Sequence, residues 1–219
     1  MPDPTDAGVS SLLAIAESAP PDAPVVTKVP PAIPTRASAI GRSIGRAGLW
    51  LFGWKVVGRF PDLPKLVIVV APHTSNWDFV AGFWAYLALD LQTTWFGKHT
   101  LFAWPFGAIF RRFGGIPIRR DGREAGQVVD DYTAAFRSHD RMLLALTPEG
   151  TRRKVSEWKS GFHRIARGAG APIVPVALDY RLSRVIVGNP FNASDDREGD
   201  VARLKELYAG ITARHPDQF

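Results

Sequence analysis

Residues 66–78 read Leu66-Val67-Ile68-Val69-Val70-Ala71-Pro72-His73-Thr74-Ser75-Asn76-Trp77-Asp78, and their reading decides the fold. Six apolar, mostly β-branched residues in a row suit a strand buried on both faces, the kind that parallel sheets contain. Pro72 cannot continue the ladder. Ser75 or Asn76 can cap a helix whose first turn then holds Asp78, where the helix dipole favours a carboxylate. A buried strand, a loop and a capped helix in that order make the beginning of a βα unit.

The alternation continues outward from this stretch. Helical periodicity covers 77–91, 123–137 and 162–167, and strand-like runs fall at 94–96, 116–118, 142–146 and 173–178. The order predicts an α/β domain over 61–219, with a mostly parallel sheet flanked by helices. Ahead of it, Ile40, Ile44, Ala47, Leu51 and Trp54 recur at steps of four and three, while Arg42 and Arg46 lie on another face. Residues 37–60 are therefore expected to form an N-terminal amphipathic helix suited to a membrane surface, although its three glycines (Gly41, Gly45, Gly48) weaken it. Eight of the 18 prolines precede Thr35. They predict a disordered, proline-rich tail over 1–36.

Composition narrows the chemistry. The 219 residues include no cysteine, which excludes disulfides, thiolate zinc sites and a cysteine nucleophile. A formal charge of +6 favours an anionic partner. No window approaches the ~20 apolar residues of a spanning helix, and the first residues lack the positive region of a secretory signal. The expected placement is peripheral, on the cytoplasmic side of the plasma membrane.

His73 and Asp78 are the first candidate catalytic pair. Within one continuous helix, five residues would turn them about 140° apart. With a loop between them, the carboxylate can orient the imidazole while the other ring nitrogen takes a proton from a hydroxyl. Taken alone, such a pair is more often a structural hydrogen bond. A second constellation, Thr147-Pro148-Glu149-Gly150-Thr151-Arg152, follows the apolar run at 142–146. Gly150 permits close backbone approach, Thr151 offers a hydroxyl, and Arg152 can hold a phosphate in bidentate fashion. A third, Gly114-Gly115-Ile116-Pro117-Ile118-Arg119-Arg120, turns into a short strand that ends in two guanidiniums.

Together, 73–78, 115–120, 148–152 and Ile173-Val174-Pro175-Val176 resemble the four ordered motifs of the glycerolipid acyltransferases, the family that contains 1-acylglycerol-3-phosphate acyltransferase. The resemblance covers about 66–180 and is nearest to the short bacterial members. It implies transfer of a fatty-acyl group from acyl-CoA or acyl carrier protein to a lysophospholipid hydroxyl, with no further cofactor and no metal. His73 would be the base and Asp78 its orienting partner. Arg120 and Arg152 would bind the acceptor phosphate, Glu149 and Gly150 would shape that pocket, and Lys98 falls where related sequences carry a lysine. Arg119 stands where many relatives have an acidic residue, which leaves another lysolipid or a glycolipid open as acceptor.

The segment 101–113 is rich in aromatics and ends in Arg111 and Arg112, as suits the headgroup boundary of an anionic bilayer. Two other functions compete. Gly41-Arg42-Ser43-Ile44-Gly45 matches a nucleophile-elbow pattern, but it lies in helical periodicity with no strand before it. Net charge also suits a non-catalytic nucleic-acid- or lipid-binding module. No recognition helix or zinc finger accompanies it, so no nucleic-acid partner is expected.

Overall fold

The computed structural model describes residues 11–20, 22–118 and 125–219. The expected central strand is β2 (Lys65–Ala71), with β5 (Met142–Leu146) and β6 (Ile173–Asp179) parallel to it on either side. Val67, Val69 and Ala71 enter one buried cluster while Leu66 and Ile68 enter another. The two-residue period therefore places apolar groups on both faces, and a continuous apolar run is the result.

Beyond β6 come β7 (Arg184–Val187), antiparallel to it, and then β1 (Lys55–Gly58), parallel to β7. Beyond β5 come β3 (Thr93–Lys98) and β4 (Gly115–Ile118), both parallel. The seven described strands have the order β1-β7-β6-β2-β5-β3-β4. The mostly parallel α/β sheet expected from the sequence is present, with one antiparallel pair.

Helices cover both faces. On one lie α1 (Leu12–Ser18), α5 (Ala125–Arg137), α6 (Gly161–Ala169) and α7 (Arg197–Leu207); on the other lie α2 (Ala39–Leu51) and α3 (Asn76–Ala88). A short α4 (Gly107–Arg112) leads into β4. Among the described residues no helix is long and apolar enough to cross a membrane.

The tail expected over 1–36 needs correction. Residues 1–10 and Pro21 lie outside the described residues, but Leu12 and Ala16 of α1 join the core, and Val26 and Ile33 are buried further on. Prolines bar helix and sheet ladders, not burial. Each large apolar side chain removed from water contributes about 1.5–3 kcal/mol, enough to hold an irregular segment against the sheet. Arg36 and Arg42 then pair with Asp90 at the end of α3, at 3.7 and 2.9 Å.

The reading of 37–60 as one helix is also corrected, because α2 ends at Leu51 and Lys55–Gly58 is a sheet strand. Gly45 and Gly48 are its packing face. A Cβ on Gly45 would stand 2.2 Å from Ala88 N, and one on Gly48 would stand 2.4 Å from Trp84 Cδ2, so α2 crosses α3 closely only with hydrogen at these positions. Most apolar residues of the periodic pattern point outward instead: Ile40 is 76% exposed, and Ile44 and Leu51 are exposed beside Trp50 at 74%, while Trp54, past the helix, packs on the core. Ser43 lies mid-helix, where no nucleophile elbow exists.

Candidate active site

Strand order assembles the site. Because β6, β2 and β5 are neighbours and parallel, their carboxyl ends share one edge of the sheet, and the loops that follow them converge there. His73 follows β2, Glu149 follows β5, and Tyr180 follows β6.

Ser75 caps α3 by accepting from Trp77 N, and Asp78 closes a capping box by accepting from Ser75 N at 2.7 Å. The same oxygen, Asp78 Oδ2, accepts from Thr74 N at 2.6 Å and stands 3.5 Å from His73 Nδ1. The loop and cap read from the sequence thus bring the pair together. Asp78 is 3% exposed. Burial alone would push its carboxyl up, but the donors His73, Tyr180, Ser75 and Thr74 outweigh burial and hold it below the usual value. It remains an anion at neutral pH, and His73 Nε2 is left as the ring nitrogen available to a substrate.

Glu149 faces His73, not the solvent. It is 3% exposed and accepts from His73 N through Oε1 at 3.0 Å and Oε2 at 3.3 Å. Burial raises its pKa, the bond from His73 N lowers it, and the nearby Asp78 charge raises it again. Its partner is the backbone of the loop that follows β2. Gly150 has φ +66, a left-handed conformation that suits glycine, and a Cβ there would press on Lys159. Thr151 Oγ1 accepts from Arg153 N at 3.4 Å, and Arg152 is exposed next to it. Lys98 ends β3, in register with Ile118 of β4. Arg119 and Arg120 lie outside the described residues, so the expected meeting of Arg120 with Arg152 does too.

Two contributors carried no sequence signal as site residues. Tyr180 OH donates to Asp78 Oδ1 at 2.8 Å. Thr74 is buried and its Oγ1 accepts from His215 N at 3.2 Å, which ties the loop after β2 to the segment after α7. Only their positions hinted at this, one just past a central strand and the other inside the first motif.

A cavity of about 470 Å³ opens beside the pair, within the size range of small-molecule sites. His73 and Asp78 line it, and so do Phe79, Gly82, Phe83, Tyr86 and Leu89 along α3. From Asp78 to Leu89, the residue that caps α3, the chain advances about 16 Å, so the apolar lining runs about that far along the helix. Phe79 and Ile109 line it and are also exposed, which makes its rim apolar.

Fold and site define a class: a mostly parallel α/β protein with a His–Asp pair at the carboxyl edge of its sheet, beside an apolar cavity. The family model described as Acyltransferase matches residues 60–179, more than half of the chain. The chain belongs to that family, and it is an acyltransferase. Among solved structures it is similar to the 1-acyl-sn-glycerophosphate (LPA) acyltransferase, PlsC, from Thermotoga maritima, with 23% identity, 79% of this chain and 80% of that chain covered, and a TM-score of 0.49. A comparison with curated proteins finds no match.

Proposed function

We propose that the protein moves a fatty-acyl group from an acyl-CoA or acyl carrier protein thioester to the hydroxyl of a lysophospholipid, foremost 1-acylglycerol 3-phosphate, giving phosphatidic acid. The observation that carries this reading is the His73–Asp78 pair in the wall of an apolar cavity whose lining runs about 16 Å along α3, on the scale of a fatty-acyl chain. His73 Nε2 removes the acceptor's proton as its oxygen attacks the thioester carbonyl. The tetrahedral intermediate then collapses, expelling the thiolate, which recovers the proton from the imidazolium. Asp78 stabilises that imidazolium. Neither metal nor covalent intermediate is needed, since a thiolate is already a good leaving group. Arg152, and Arg120 with it, would hold the acceptor phosphate, with Thr151 and Lys98 as further polar contacts.

The exposed surface supports a membrane as the source of both lipids. Ile40, Ile44, Trp50, Leu51 and Phe52 protrude around α2, while Trp104, Phe106 and Ile109 protrude around α4 beside Arg111 and Arg112, with Trp104 94% exposed. Apolar side chains flanked by arginines suit an anionic bilayer, and the apolar rim would admit an acyl chain sideways. Purified protein incubated with labelled acyl-CoA, acyl carrier protein and a panel of lysolipids on anionic vesicles should yield a mass-identified diacyl product. Turnover of the donor to free fatty acid alone would sink the reading.

The cavity gives a second expected result. Gly82 is one helical turn past Asp78, and a Cβ there meets nothing within 4 Å. Gly82→Phe places its ring in the cavity about 6 Å beyond the pair. The kcat/KM for a palmitoyl donor should fall by more than about tenfold while a butyryl donor is spared. Equal losses for both donors would remove the acyl chain from this cavity.

A further inference from the structure

Asp78 uses its two oxygens unequally. Oδ2 receives Thr74 N and Ser75 N and faces His73 Nδ1, so the capping box and the imidazole share one oxygen. Oδ1 receives the Tyr180 hydroxyl at 2.8 Å from across the β2–β6 ladder. Without that donor, a lone pair of a carboxylate 3% exposed would lose its described partner, and the carboxylate would be freer to twist about its Cβ–Cγ bond.

The phenol is held in place by other elements. Tyr180 N donates to Thr212 O at 2.9 Å, directly after β6, while buried Asp179 accepts from Leu182 N at 2.7 Å and Thr212 N at 3.0 Å to fix the turn around it. Trp54 lies edge-on to the ring, with centroids 5.0 Å apart at 85°. Arg214 carries its guanidinium 5.7 Å from the ring centroid. A ring fixed by its backbone, an indole and a cation does not reach the carboxylate by accident.

We propose that Tyr180 is a positioning residue for the reaction, acting through Asp78: its hydroxyl sets the rotation of the carboxylate so that Oδ2 stays aimed at His73 Nδ1. The proposal rests on the His–Asp reading above. Burial and the neighbouring Asp78 charge keep the phenol protonated far into alkali, so the donor persists wherever the enzyme works.

Tyr180→Phe keeps the ring and its two aromatic contacts and removes one oxygen. The expected kcat falls about tenfold, with KM for donor and acceptor within about twofold of wild type. The acid fall of the unfolding free energy that reports Asp78 moves to higher pH, because a carboxylate that has lost a donor binds its proton more readily. Fluorotyrosine incorporated at 180, a stronger donor, moves that fall to lower pH. In an Asp78→Asn background the Phe substitution should add less than about twofold, since the charge that Tyr180 aims at His73 is gone. Unchanged kcat with superimposed pH profiles overturns the proposal. So does an equal loss in the Asn background, which would put Tyr180 on the substrate. If Asp78→Asn by itself turns over at the wild-type rate, the His–Asp reading fails as well, a result visible in that arm alone.

Discussion

His73→Ala lowers kcat for acyl transfer by about 10²–10⁴-fold, the share that a positioned base contributes, and leaves the fold standing. The side chain can be removed cleanly for a structural reason. His73 is anchored by its backbone N, on which Glu149 closes, and alanine keeps that N–H. The imidazole itself stands 3.5 Å from Asp78 and is part-exposed in the cavity wall. Its loss opens no void in either apolar cluster. Circular dichroism and the unfolding midpoint should match wild type while turnover of the thioester disappears. A folded His73→Ala protein that transfers acyl groups at the original rate would end the assignment.

Asp78→Asn costs less than loss of the base, about 10²-fold in kcat, and the hydrogen bonds explain why. At the Oδ2 position two backbone N–H groups and the His73 ring all need an acceptor, so the amide oxygen must occupy that place. The amide nitrogen then falls where Tyr180 stands, and the phenol oxygen can accept from it. The tautomer of His73 is thus preserved, and the charge that stabilises the imidazolium is what disappears. Alanine would be a poorer probe, since it breaks the capping box and leaves buried N–H groups unpaired, at about 0.5–2 kcal/mol for the cap alone. Single-turnover rates for Asn and wild type give the comparison; equal rates would remove Asp78 from the mechanism.

The same variant has a signature in stability. A carboxyl held below its usual value in the folded chain contributes stability that is fully present above the unfolded value of about 3.9 and is lost as pH falls through the lower folded value. Wild type should therefore lose this contribution only on strong acidification. Asp78→Asn should flatten that part of the curve of unfolding free energy against pH.

Much of this site was legible in residues close along the chain. The β-branched run, Pro72, the cap at Ser75 and the position of Asp78 five residues after His73 already required a strand end, a loop and a helix start that let the pair meet. Strand 142–146 was read to the residue, and β3, β4 and β6 to within two. What escaped had weak local signal. The strands β1 and β7 are four residues each, and α7 carries charges around most of its circumference. Gly45 and Gly48 counted against a helix by propensity, yet they are the surface through which α2 meets α3.

Local sequence determined the βα order, the His–Asp loop and the absence of thiol chemistry, because periodicity, capping and composition are properties of neighbouring residues. Tertiary structure alone decided that Glu149 would close on His73 N, 76 residues away, that Tyr180 would reach Asp78 from 102 residues away, and that a proline-rich segment would join the core. Those contacts follow from which strands lie side by side and from which apolar side chains find a buried partner. Neither is written in the spacing of any single stretch.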